Sequence, residues 1–531
     1  MTQAPPPGCK GVAEHTEDIE LASIAKSPLQ DKPVRTHYQA TSADEISVDK
    51  RLNLKLDLLI TGLLSFGFVL CGIDKTNIGY AATSTFVADA NLSPNAIGNS
   101  LSIFSATYVP LQPLSVLAAR RFGSKYWISG LLAAWGALSM CHALIKNQAT
   151  LIALRLLLGA AESGFTPSSY YLMSTVYPKY IVGLRMGIFS GMYAIAGAFG
   201  GLIAYGLLQI GSSNIKGWQI LFLFEGGLTV LVGIAAFFII PKHLGTSWFL
   251  TESERAHAVR RMTIDSASSE PETGNGINIR DITDVCRDWK KILIILFNLL
   301  GVLPVNAFTT FLPLIVQGMG YEGTKASLMS VSPFIVGAIV LVIIVWSSDR
   351  CQERSGHMAG GMFLSAIGCI VMATSSNPRL RYGFSHVCMA GVFVSGPLAA
   401  ARLAGNTPLM GPRSFVLGLN GFTNLGGVIA GQLYAAKYAT NYTLPLIVTL
   451  VLIVVGIFGI LSIRVVYMRT NFRRLPVIVV ISEHHPLEVI STSALFQAIS
   501  LDTKGKCTPS PTLIDKSGTD KSPMGKGSAA A

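Results

Sequence analysis

The chain has 531 residues, of which 50% are hydrophobic and only 13% charged, and its formal net charge is +12. Soluble globular proteins carry about 25% charged residues, so these proportions, with repeated long apolar runs, exclude an ordinary soluble domain and indicate a polytopic membrane protein. The basic excess is spread through loops and tails, there is no zinc-spaced Cys/His cluster, and the eight cysteines are scattered, which argues against nucleic acid as a partner, a metal site or a disulfide framework.

Residues 1–55 are polar, open with Pro5-Pro6-Pro7 in their first stretch, and lack the apolar segment of a signal peptide. They read as a disordered cytoplasmic tail. Lys50, Arg51 and Lys55 stand just before the first apolar run, which places this end inside. Six spans follow within 56–240, starting near Leu56 and then at roughly 98–118, 126–145, 151–171, 186–208 and 219–240. A polar central loop, 241–291, separates them from six more within 292–466, at roughly 292–316, 326–347, 359–376, 383–401, 414–436 and 443–466. Residues 467–531 form a second cytoplasmic tail of low complexity. The prediction is an all-α membrane protein of about twelve transmembrane helices in two six-helix halves.

Within the central loop, TESERAHAVRRM reads as a short amphipathic helix with a capping box from Thr251 to Glu254, and SASSEPETGNGIN reads as linker. The basic residues of this loop, with Arg464, Arg469, Arg473 and Arg474, favour both termini on the cytoplasmic side. Two N-x-S/T sequons, at Asn91 and Asn441, fall in connections that this topology puts outside. They are glycosylation candidates, with chance occurrence as the alternative.

The fourth span, LIALRLLLGAAESGFTPSSYYLMSTVYP, carries Arg155 and Glu162. Their spacing falls within about 20° of two full helical turns, so both lie on one face, with Gly159 between them. A charge at membrane depth costs roughly 2.5–3.5 kcal/mol and usually faces a bundle interior or polar cavity. One reading is a structural ion pair between helices. The other is an ion or substrate pathway, with Arg155 as counter-charge and Glu162 as proton carrier. The first half also holds Asp74, Lys75 and Glu225, whereas the second holds little intramembrane charge beyond Arg402. Lys75 either snorkels to the interface or joins Arg155 in attracting a carboxylate; a charge pair 4 Å apart at an effective dielectric of ~20 gains ~4 kcal/mol. Glu225, near the outer start of its span, reads as a cap or a local ion pair. Small residues recur in the fifth span, where Gly187 and Gly191, and Gly197 and Gly201, allow close helix approach. The eleventh span repeats the pattern and places Asn420 and Asn424 on one face. No P-loop, HExxH or nucleophile-elbow motif is present, so neither ATP-driven transport nor an enzyme is expected, and no cofactor.

These segments together resemble the major facilitator superfamily and, within it, the fungal anion:cation symporters that include allantoate and nicotinate permeases. The resemblance covers roughly 56–474. It rests on IDKTNIGYA, the Arg155/Glu162/Pro167 segment, GLRMGIFSGMYAIAGAFGGLIAYG, GWQILFLFEGG, FLTESERAHAVRRM, SSDRCQER and GFTNLGGVIAG. Two departures stand out. The first loop motif appears as LAARRFGSKYW, without the acidic residue of the superfamily pattern. In the tenth helix, which lines the cavity of that fold, AARLAGNTPLMGPRSF keeps Asn406 and introduces Arg402.

The resemblance implies a secondary active transporter of a small organic anion, coupled to protons. It is expected to act as a monomer in the lipid bilayer, at the plasma membrane. Lys75, Arg155, Asn406 and Asn424 are the expected substrate-binding residues and Glu162 the proton-coupling one. Export of a secondary metabolite, or a non-transporting nutrient receptor, are the rival readings.

Overall fold

The computed structural model describes residues 38, 40, 42–82, 84–93, 96–210, 215–266, 279–317, 323–407, 409–434 and 442–482. Chain contacts divide it into two units, Met1–Val466 and Tyr467–Ala531, and 467–482 is the described part of the second. Among the described residues every regular element is helical.

Helix α1 (Ala43–Leu56) starts well inside the stretch expected to be disordered. Ser42 caps it by accepting from the Glu45 amide, and Asp44 and Glu45 complement its positive end. Its buried Leu52 and Leu56 join the first-half core, which is why this part of the tail folds. A π-helical turn at Asp57–Thr61 leads into α2 (Gly62–Ala82). The first half continues with α3 (Ala96–Tyr108), α4 (Gln112–Phe122), α5 (Ser124–Cys141), α6 (Gln148–Glu162), α7 (Phe165–Val176), α8 (Val182–Leu208) and α9 (Gly217–Ile239).

The central connection contains α10 (Glu252–Ser266) and α11 (Ile279–Arg287). The Thr251 amide donates to Glu254 Oε2 at 2.9 Å and the Glu254 amide to Thr251 Oγ1 at 3.4 Å, closing the capping box that starts α10. This helix docks on α1: Lys55 pairs with Glu254 at 2.7 Å, and Asp49 meets His257 at 2.8 Å and Arg261 at 3.4 Å.

The second half comprises α12 (Trp289–Gln317), α13 (Gly323–Arg350), α14 (Ser355–Thr374), α15 (Pro378–Val392), α16 (Ser395–Gly405), α17 (Met410–Asn420), α18 (Leu425–Leu433) and α19 (Thr443–Ser482). The last runs past the expected end of the final span.

Ten described helical stretches are long and apolar enough to cross a membrane. The expected spans at 98–118 and 414–436 are not among them because each is cut in two. Pro110, which has no amide hydrogen to donate, lies in the turn between α3 and α4, and Pro113 starts α4. A 3-10 turn at Gly421–Asn424 separates α17 from α18. The fourth and tenth spans break similarly, at Ser163-Gly164 and at Phe393-Val394, but their two segments run on as one crossing.

Each half has its own core, around Trp135, Phe165 and Phe189 in the first and around Phe308, Met362 and Met389 in the second. Within the first, α5 and α9 touch backbone to backbone: a Cβ on Gly136 would lie 2.7 Å from the Gly226 carbonyl oxygen. Small residues permit that approach where lipid supplies no hydrophobic drive between helices. The halves meet where α8 packs on α13 and α4 on α17. Gly187 and Gly191 serve the first of these seams, facing Val345 and Leu341. Leu231, Phe238, Ile339, Phe363, Val451 and Phe458 point outward and are exposed, as lipid-facing side chains are.

Candidate functional site: a cavity between the halves

A cavity of about 670 Å³ lies between the two halves, within the range of small-molecule sites. The helix breaks open onto it: Tyr108, Val109 and Gln112 line it from the α3/α4 break, and Asn420, Gly421, Thr423 and Asn424 from the α17/α18 break. Backbone freed from a regular helix is tolerated at membrane depth where it borders such a space.

Lys75 and Arg155 both line the cavity. Lys75 turns inward rather than snorkelling. Its Nζ lies 3.4 Å from Glu162 Oε1, donates to Tyr108 Oη at 3.1 Å and sits 4.3 Å from the centre of the Tyr108 ring, with Tyr193 on another side at 5.9 Å. Arg155 is held by α6, whose start is fixed by Asn147 accepting from the Thr150 amide. It is 1% exposed, yet its Nε and Nη2 have no hydrogen-bond partner in the protein. Asp74, Glu162 and Glu225 are its charged neighbours.

Behind the cavity wall these carboxylates take different parts. Asp74 accepts from Trp135 Nε1 and Ser139 Oγ, each at 3.0 Å, which ties α2 to α5. Glu162 Oε1 accepts from the Cys71 thiol at 2.7 Å, while its Oε2 is buried without a partner. Near the start of its span, Glu225 reads from the sequence as a cap or a local ion pair. It is instead 4% exposed within α9, with both oxygens buried and unpartnered, beside Arg155. The fourth-span charges therefore do not form a simple pair with each other; Glu162 pairs with Lys75 and Arg155 keeps free donors.

Of the expected substrate-binding residues, Lys75, Arg155 and Asn424 line the cavity and Asn406 does not. Asn406 follows α16 as its C-cap, its amide donating to the Arg402 carbonyl. Arg402 lies in the last turn of α16, where a cation complements the helix end. The tenth-span residues that reach the cavity are Phe393, at the helix break, and Gly396 and Pro397 in the first turn of α16, at the opposite end of that helix from Asn406. Asn424 Nδ2 donates to the Gly421 carbonyl, and Asn420 accepts from Asn298 at 3.0 Å. Sequence reading missed Asn306, Tyr108, Tyr170 and Tyr193, which also line the space. Asn91 is exposed, in a turn with φ of 48°; Asn441 lies outside the described residues.

The sequence model described as Major Facilitator Superfamily matches residues 64–431. The MFS-type transporter efuF of Hormonema carpetanum is 32% identical over 81% of this chain and 88% of its own length. The high-affinity nicotinic acid transporter of Saccharomyces cerevisiae is 29% identical, with 87% of each chain covered. Among solved structures, the proton:xylose symporter XylE superposes with a TM-score of 0.54 at 15% identity, over 76% of this chain and 94% of its own. FucP in its outward conformation gives 0.55 at 14% identity, over 75% and 98%. At such identities the likeness concerns the fold.

Proposed function

Because the chain belongs to the Major Facilitator Superfamily and is a multi-pass membrane transporter, we propose that it moves a small organic anion across the plasma membrane together with a proton. The observation that carries this reading is Arg155, a buried guanidinium on the cavity wall with two donor groups unmatched by protein acceptors. A carboxylate fits such a group, since the planar fork can grip two oxygens at once. Lys75 adds a second cation on the same wall. The yeast relative named for nicotinic acid, a small carboxylic acid, supports the same substrate class.

Glu162 is the proton carrier in this scheme. One of its oxygens faces Lys75 and the other has no partner. An anion drawn to Lys75 competes with Glu162 for that cation, so substrate binding favours protonation of Glu162, and protonation favours substrate binding. The protein acts as a monomer with both termini in the cytoplasm.

The test is uptake of single carboxylates into vesicles containing the protein, with and without an imposed pH gradient. Accumulation that follows the gradient and saturates with substrate is expected; binding with no saturable flux would make the protein a receptor. For orientation, a protease site inserted at Gly274 should be cut only in permeabilised cells.

A further inference from the structure

Two glycines occupy matching places at one end of the bundle. Gly183 begins Gly183-Leu184-Arg185 in the first turn of α8, and Gly411 begins Gly411-Pro412-Arg413 in the first turn of α17. A methyl group built on Gly183 would fall on Asp349 and Arg354; one built on Gly411 would fall on Asp281 and Arg120. Each helix start therefore rests on an ion pair, Asp349–Arg354 at 3.0 Å and Arg120–Asp281 at 2.8 Å. A carboxylate there also complements the helix dipole.

The two pairs are assembled differently. In the second half, both members come from one loop, SSDRCQER, running from Ser347 to Arg354. In the first half the corresponding stretch is AARRFGSK, from Ala118 to Lys125, and Arg120 stands where the other loop has Asp349. That stretch contains no acid. The carboxylate comes instead from α11, a helix of the central connection that packs on α17 and buries its own Val285.

We propose that Asp281 is a positioning residue for the transport cycle. It supplies the acid missing from the first loop and so makes the central connection a clamp across the α4/α17 seam. The seam lies next to the cavity: Pro113 meets Gly418, Gln112 meets Gly421, and Gln112, Leu417, Asn420 and Gly421 also line the cavity wall. For the cavity to open toward this end, α4 and α17 must part, and the Arg120–Asp281 contact must break with them. Its side chains are 9% and 20% exposed, so the pair is shielded enough to bias that step. Each helix start has backbone anchors as well: the Leu184 amide donates to Asp349 and Arg354 to the Lys179 carbonyl, and Arg413 of α17 donates to the Ser174 carbonyl of α7 at 3.0 Å. Loss of Asp281 therefore removes the ion pair from the α4/α17 seam, leaving the Arg413 anchor on α7 and the whole α8/α13 seam in place. This inference is independent of which substrate is carried.

The experiment uses the full chain in membranes, with exposed Cys286 and Cys351 replaced by serine and a reporter cysteine at Ser414, which is buried in α17 one turn after Gly411. The maleimide labelling rate is counted relative to the same variant keeping Ser414. Asp281→Asn should label about fivefold faster, the factor that loss of a pair of this exposure supplies. The reversed pair, Arg120→Asp with Asp281→Arg, should return the rate to within about twofold of the parent, because it restores the same contact with opposite signs. Asp284→Asn, an exposed acid on the same helix, should change nothing. If Asp281→Asn does not reach the membrane, Arg120→Gln breaks the contact from the other side and is read in its place. No acceleration on breaking the pair, no recovery in the reversed pair, or equal acceleration in Asp284→Asn would each overturn the assignment.

Discussion

The two halves of the bundle face one cavity with different chemistry. The first half contributes both charged lining residues, Lys75 and Arg155, and an aromatic wall of Phe68, Tyr108, Tyr170 and Tyr193. The second contributes neutral hydrogen-bonding groups, among them Asn306, Thr309, Asn420 and Asn424, around Val302 and Phe393. A substrate bridging them would place its anionic end on the first half and an uncharged polar end on the second. The division also separates energetics. Charge on the first half supplies attraction, and removing a buried cation there leaves carboxylates uncompensated. Neutral groups on the second half supply orientation at about 0.5–1.5 kcal/mol per hydrogen bond.

The comparison breaks most sharply at Arg155. With hydrogen bonds to charged groups worth about 1.5–3 kcal/mol each, Arg155→Lys keeps the charge but loses the fork. The expected result is a fall in kcat/KM of about tenfold to a hundredfold at normal membrane delivery, measured by initial uptake rates. Wild-type kinetics would show that Arg155 does not grip the anion at two points.

Glu162→Gln keeps shape and removes the exchangeable proton. Uptake against a gradient driven by pH alone should vanish, while counterflow with no imposed gradient persists. Continued accumulation in Glu162→Gln would remove Glu162 as the coupling group and leave its contact with Lys75 as a structural ion pair.

An acid can also be moved into the neutral half. Asn306 donates to the Val302 carbonyl at 3.3 Å and lines the cavity opposite the cations. Asn306→Asp should weaken anion uptake by about tenfold, since a like charge on the far wall repels the anion across the width of the cavity, where the coulombic cost falls to roughly a third of the ~4 kcal/mol of a contact pair. Asn306→Ser, which stays neutral, should cost less. Equal effects would show that the second half does more than present neutral polar groups.

The division was only half legible in the sequence. Charges stand out in an apolar run because each is costly in a bilayer, so Lys75, Arg155 and Glu162 could be singled out. Asn306, Tyr108 and Tyr193 carry no such cost, and nothing in their neighbours distinguishes a cavity wall from an interhelical contact. Glu225 was misplaced because its charged neighbours come from other spans: Arg155 lies in the fourth and the like-charged Asp74 in the first. Asn406 was carried over from a motif position, but the tenth span meets the cavity at its break and in the first turn of α16, and Asn406 stands at the far end of that helix. The apolar runs located most spans, and the Thr251/Glu254 pattern located the start of α10. The cuts in the second and eleventh spans came from Pro110 and from a 3-10 turn, and hydropathy averages over both.

The smallest expected effect is at Lys75. Its ammonium touches Glu162 and the Tyr108 hydroxyl and lies over the Tyr108 ring. An arginine can make each of those contacts: it pairs with a carboxylate, donates to a phenol oxygen and stacks on an aromatic face. What changes is bulk, and Lys75 borders the open cavity, so the longer head has somewhere to go. Lys75→Arg should therefore alter KM by no more than about twofold, well under the effect of the Arg155 exchange. Lys75→Gln removes the charge while keeping a hydrogen-bond donor toward Tyr108. It should lose far more, because Glu162 is then left buried beside an uncharged group. Measured side by side, the two substitutions separate charge from shape. If Lys75→Arg is as damaging as Lys75→Gln while both reach the membrane, the first half recognises its substrate through the particular geometry of the ammonium, and the contrast between a charged half and a shaping half fails at this residue.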